Sequence, residues 1–184
     1  MNNAMVMVDL ETLGTAPDSI IASIGAQGFT IEGLVGDAQE LILNRAEQAA
    51  EGRTIHLDTI DWWMDQSSEA RAMFSQPKVS VRSALNYFSY YVKATAGDPE
   101  KAVLWGNGAD FDLVLLGSLY DSFKLERPWR YFNNRCFRTL KNLLPTAYKV
   151  AKQTIPANLI KHSAKEDAKW QALIAVQLLQ TYYV

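Results

Sequence analysis

Asp9 and Glu11 stand two residues apart in MVMVDLETLGT, residues 5–15, an apolar run that ends in a polar, glycine-containing exit. On a strand, side chains at i and i+2 share a face, so both carboxylates point one way while Val8 and Leu10 point the other. Two like charges on one patch are costly to bury unless one is protonated or a cation lies between them. Hard oxygen ligands at this spacing suit Mg2+ or Mn2+. A strand whose polar face simply meets water is the plainer alternative for an isolated D-x-E.

Two further groups place acids where apolar residues would be expected. In WGNGADFDLVLL, residues 105–116, a short apolar strand stops at a Gly-Asn-Gly turn, and Asp110, Phe111 and Asp112 open an apolar helix. Asp110 suits ordinary helix capping. Asp112 precedes Leu113, Leu115 and Leu116 inside the first turn, where ligation of a metal would account for it; Asp110 is the alternative ligand. In KHSAKEDAKW, residues 161–170, Ser163-Ala164-Lys165-Glu166 matches the S-x-x-E capping box, with Ser163 as N-cap. His162 and Asp167 then occupy the two positions that a staple brings together, an imidazole beside a carboxylate. A surface histidine next to a capped helix is the alternative.

The elements that must position these groups are legible in outline. Apolar, β-branched segments predict strands over residues 4–11, 20–29, 40–43 and 102–105, the first three joined by short turns as an antiparallel meander. Helical spacing follows over 59–74 with breaks, 80–95 with Ser80 as N-cap, 110–123, 136–144 and 164–182. Strands followed by alternating helix and strand predict an α/β fold, a mixed central sheet flanked by α-helices. With 184 residues, 48% of them hydrophobic, one domain over residues 1–184 can bury its own core.

Composition narrows the partners. The lone Cys136 excludes an internal disulfide, the N-terminus lacks a basic-then-apolar leader, and the apolar runs are too short to span a bilayer. A soluble cytoplasmic protein without a membrane partner is expected. The net charge of −2 conceals an asymmetry: residues 1–120 carry 7 basic against 16 acidic side chains, and residues 121–184 carry 11 against 4. Residues 124–152 hold eight basic residues and one acid interleaved with Trp129, Tyr131, Phe132, Phe137 and Tyr148, a composition suited to phosphates and stacked bases. A solvated basic face is the other reading.

The three acidic motifs, in their order along the chain, resemble the DEDDh class of 3′–5′ exonucleases. Within it, VDLETLGT, DSIIASIGA and TIDWWMDQSSEAR are similar to small exoribonuclease-like domains and to phage or RecE-type, exonuclease VIII-like enzymes. The resemblance spans the chain from Asp9 to the last helix. It implies an RNase H-like fold, with Asp9, Glu11, Asp112 and Asp167 as ligands for two divalent ions, Mg2+ or Mn2+, and His162 as general base. It also implies that Thr12 and Leu13 contact the terminal nucleotide. Asn107 and Phe111 match the second motif, one residue longer than its commoner N-x-x-F-D form.

Trp62 and Trp63 are candidate walls of a substrate groove, of which one is expected in the core. Arg138, with Arg135 and Lys141 nearby, is a candidate phosphate contact. The expected reaction is hydrolysis of single-stranded DNA or RNA from the 3′ end. A catalytically silent nucleic-acid-binding or scaffold protein on the same fold is the competing reading. Pairing into a homodimer is also expected, because the YFSYYV run, residues 87–92, carries more aromatic surface than one core readily buries.

Overall fold

The computed structural model describes residues 4–108, 110–154 and 162–182. Strands β1 (Met5–Thr12), β2 (Ile21–Thr30), β3 (Gly33–Ile42), β4 (Leu104–Gly106) and β5 (Asn134–Cys136) form one sheet in the order β3-β2-β1-β4-β5. β1 is antiparallel to β2 and parallel to β4, β2 is antiparallel to β3, and β4 is parallel to β5. The sheet is therefore mixed. Helices α1 (Arg45–Ala50), α2 (Leu57–Met64), α3 (Ser68–Arg71), α4 (Val81–Ala96), α5 (Asp112–Ser122), α6 (Phe137–Leu143), α7 (Pro145–Thr154) and α8 (Ala164–Tyr182) surround it. Among the described residues no helix is long and apolar enough to cross a membrane.

The alternation of β1 assigns its side chains to different layers. Val6, Val8 and Leu10 pack with Leu85 and Phe88 of α4 and Leu113 and Leu116 of α5. Met7 packs on the other face with Ala168, Ala172 and Ala175 of α8. Asp9 and Glu11 follow Met7 on that face, at the end of the strand where the apolar layer stops. Small side chains let α8 lie close to the sheet: Ala164, Ala168, Ala172 and Ala175 are all fully buried. The closest approach is at Gly25, where a Cβ would stand 1.9 Å from the Ala164 carbonyl oxygen. Gly25 pairs with Asp9 on one side and Glu40 on the other.

Several expected elements change length. β3 starts at Gly33 rather than residue 40, because an edge strand half open to solvent needs ladder hydrogen bonds more than an apolar pattern. β5 is three polar residues long and α1 six, both below the length at which periodicity speaks. α1 is held by its cap, Asn44 Oδ1 accepting from the Ala46 and Glu47 N–H groups. α7 opens on Pro145, a favoured first helical residue, within the segment read only for its charge. Residues 59–74 divide into α2, α3 and a 3-10 turn, Ala72–Ser75. Ser80 caps α4 as expected, accepting from Ser83 N–H at 3.2 Å.

Most of the aromatic run of α4 is absorbed within one chain. Phe88 and Val92 are buried, Tyr91 Oη accepts from Gly28 N–H, and Tyr87 Oη donates to Gln39. Tyr90, at 70%, and Tyr87, at 44%, are the aromatic residues of the run that stay exposed. The tightest constraint is Gly25. Gly25→Ala is expected to force α8 off the sheet at a cost of about 3 kcal/mol, because both colliding partners are backbone. A urea denaturation midpoint equal to wild type would contradict that packing.

Candidate active site

Three elements deliver acids to one place. β1 supplies Asp9 and Glu11, the start of α5 supplies Asp112, and the first turn of α8 supplies Asp167. These four side chains line a cavity of about 360 Å³ together with Asn107, Phe111, Arg138, His162 and Gln171. Asp112 reaches it because residue 106 is glycine: a Cβ there would stand 2.9 Å from both Cβ and Oδ2 of Asp112. Asp112 Oδ2 accepts from Gly108 N–H at 3.1 Å. Asp110 is exposed in the preceding turn and lines no part of the cavity, so Asp112 is the aspartate of the two that the fold brings to it.

His162 and Asp167 share a surface, as their spacing predicts. His162 has a left-handed backbone (φ 61°), and its N–H donates to Asp167 Oδ2 at 2.9 Å. One ligand atom from each of Glu11, His162 and Asp167 lies within 4.8 Å of the other two. Glu40 on β3 stands beside the start of α8, where Ser163 and the Lys165 N–H favour its charged form against the effect of burial. The imidazole rests edge-to-face on Trp62, with centroids 5.0 Å apart, and lies 6.4 Å from Trp63.

A second cavity of about 520 Å³ adjoins the first, with Leu10, Glu11 and Phe111 lining both. Thr12, Thr15, His56, Asp58, Thr59, Trp62 and Trp63 complete its walls. Of the two indoles, Trp63 is the core residue, its Nε1 donating to the Thr12 carbonyl at 2.9 Å, and Trp62 is 42% exposed. Leu13 departs from expectation: it packs with Trp63 and Met73 and lines neither cavity, because the chain turns after Thr12. The basic segment is also mostly committed. Arg127 pairs with Asp121 and Arg130 with Glu100, Arg135 donates to the Phe132 and Asn134 carbonyls, and Lys141 holds Asn107 Oδ1 at 3.1 Å. Arg138 is the residue of that segment that reaches the acidic cavity.

Two polar residues escaped the sequence reading. Gln171 Nε2 donates to Asp9 Oδ1 at 2.7 Å. It lies one turn beyond Asp167, a spacing that could have flagged it. Glu40 carries no such signal, since only the sheet register brings it beside Gly25.

Crowding controls the charge state. Burial, then the charges of Asp112, Glu11 and Asp167, hold Asp9 well above the usual carboxyl range, against the Gln171 amide. Burial, then Asp167, Glu40 and Asp112, push Glu11 up to about 8. Burial lifts Asp112 to about 6 despite the backbone N–H groups around it. Such a set of hard oxygen donors with one imidazole fits a divalent cation, which would take the place of the held protons.

The fold and these motifs define a nuclease of the DEDDh class with an RNase H-like sheet. Residues 4–179 match the family described as the Rv2179c-like 3′–5′ exoribonuclease domain, and the chain belongs to that family. It is thus a 3′–5′ exonuclease acting on nucleic acid. The exodeoxyribonuclease of Enterobacteria phage T4 is 28% identical over 157 residues, covering 72% of this chain and 68% of the phage protein. The fold is similar to the nuclease domain of 3′hExo, a DEDDh family member solved bound to rAMP. That match has a TM-score of 0.64 and 15% identity over 98% of this chain and 93% of the other. It is also similar to cell-death related nuclease 4 (TM-score 0.60, 9% identity, 98% of this chain), of which the chain spans 64%.

Carboxyl groups held above their unfolded values keep protons that the unfolded chain gives up. Their stabilisation is full below about pH 4 and is lost as pH rises through the raised values. In EDTA the melting temperature is expected to fall by roughly 5 °C or more between about pH 5 and pH 8.5. Glu11→Gln, which removes the group pushed up to about 8, is expected to flatten that fall. A wild-type melting temperature that stays level across the range would refute a proton-holding cluster.

Proposed function

We propose that this protein is a divalent-metal-dependent exonuclease that removes nucleotides from the 3′ end of single-stranded nucleic acid by a two-metal mechanism. The observation that carries this reading is the convergence of four carboxylates and one imidazole on a single cavity. Asp9, Glu11, Asp112 and Asp167 would hold Mg2+ or Mn2+ ions. When bound, these supply neutralisation of the charge that develops on the phosphoryl oxygens and a more acidic water. The cluster, repulsive to phosphate when ionised and empty, then becomes attractive to it.

The residues of the chain do the rest. His162, beside Glu11 and Asp167, accepts the proton of the attacking water. The Trp62 ring supports the imidazole from the side. The second cavity, at about 520 Å³, has a volume suited to one nucleoside, which supports a single strand entering end first. Phe111 borders both cavities, between the terminal sugar and the scissile phosphate, and Thr12 lines the second, where the terminal nucleoside would lie. Arg138 also lines the first cavity and would meet a phosphate of the strand there.

Digestion of 5′-labelled single-stranded RNA and DNA of one sequence, with Mn2+, Mg2+ or EDTA, tests this reading. A metal-dependent ladder that shortens from the 3′ end is expected, and the rate ratio gives the sugar preference. Asp9→Ala is expected to lower the rate on the order of 10³-fold or more, and His162→Ala by about 10²–10⁴-fold. Cleavage in EDTA, or products that begin inside the strand, would defeat the proposal.

A further inference from the structure

The side chain nearest to Asp9 outside the acidic cluster is a neutral amide whose two ends have different fates. Gln171 Nε2 donates to Asp9 Oδ1 at 2.7 Å, while Gln171 Oε1 is buried without a hydrogen-bond partner among the described residues. The residue is 5% exposed and lines the acidic cavity. Against the ionised carboxylate that ligates a cation only the NH2 end fits, because the reversed amide would set oxygen against oxygen. The amide orientation therefore follows from Asp9. Its oxygen is left buried and unmatched.

A glutamine is an odd choice here if packing were the only demand. Its neighbours along the inner face of α8 are Ala168, Ala172 and Ala175, all fully buried. An apolar side chain would suit that layer and leave no polar atom unmatched. What the amide supplies is a fixed donor on one oxygen of Asp9, which restricts the carboxylate to one rotamer and leaves its other oxygen to the cavity. The same helix delivers Asp167 one turn earlier, so one rigid element sets both a carboxylate and the group that aims another.

We infer that Gln171 is the positioning residue for Asp9, holding its carboxylate in the orientation that binds the divalent cation. The inference rests on the metal-dependent reading of the site. Outer hydrogen bonds of this kind orient the ligands of metal sites, and their loss weakens metal binding about 10–100-fold.

The test is Mn2+ titration of the full chain in the absence of substrate, by calorimetry, for wild type, Gln171→Met and Gln171→Asn. Methionine keeps the length and loses the donor; asparagine keeps the amide but falls one methylene short. Gln177→Met, on the same helix and bonded to Thr154, is the control. Both Gln171 variants are expected to bind Mn2+ about 10–100-fold more weakly. Their melting temperature in EDTA should be no lower than that of wild type, and the control should bind as wild type does. Wild-type affinity in either folded Gln171 variant would overturn the positioning role alone. Failure of wild type to bind Mn2+ would overturn the metal reading and this inference with it.

Discussion

The contact of the first turn of α8 with β2 at Gly25 is the constraint on which the site depends. Asp9 and Glu11 belong to β1, and Asp167 and Gln171 arrive from a helix more than 150 residues later in the chain. They meet because a backbone carbonyl of the helix occupies the space that any side chain at position 25 would fill. The alanine stripe of α8 keeps the rest of the helix equally close. Glu40, on the far side of Gly25, stands beside Ser163 and Lys165 at the helix start. Asp9, Gly25 and Glu40 form one row across three strands, with the middle position empty for the helix.

That close packing sets up an electrostatic conflict. Burial raises Asp9, Glu11 and Asp112, and the neighbouring carboxylates raise Asp9 and Glu11 further, so the folded chain in isolation holds protons above the pH at which exposed carboxyl groups release them. A site arranged this way trades stability for affinity toward whatever positive charge replaces the protons. The backbone N–H groups around Asp112 and the amide of Gln171 moderate the conflict without removing it. These donors orient the carboxylates as well as partly offsetting their charge.

The aromatic residues divide between support and surface. Trp63 anchors α2 to the Thr12 carbonyl, so the chain just after the β1 acids is tied to the wall of the second cavity. Trp62, its neighbour on the helix, turns outward to both the imidazole and that cavity. The basic segment contributes less to the cavity than its charge suggests. Most of its arginines and its central lysine are engaged with acids, carbonyls or Asn107, and it acts chiefly as a scaffold around β5 and α6.

Local pattern alone determined the two faces of β1, the capped start of α4 and the long last helix, because each is written in short-range periodicity or in a spacing of a few residues; it singled out the acids as candidates, and the order of the three motifs along the chain made them a set. The pairing of His162 with Asp167 belongs to the same class. Short elements such as β5 and α1 were illegible, since three to six polar residues carry no periodic signal, and Leu13 could not be separated from Thr12 as cavity or core. Only the tertiary structure placed Asp112 rather than Asp110 in the cavity, set Glu40 beside the start of α8, and brought Gln171 to Asp9. Those outcomes depend on sheet register and on how near two backbones approach at Gly25 and Gly106. The physical reason is that such distances are set by elements far apart in the chain, where no local propensity acts.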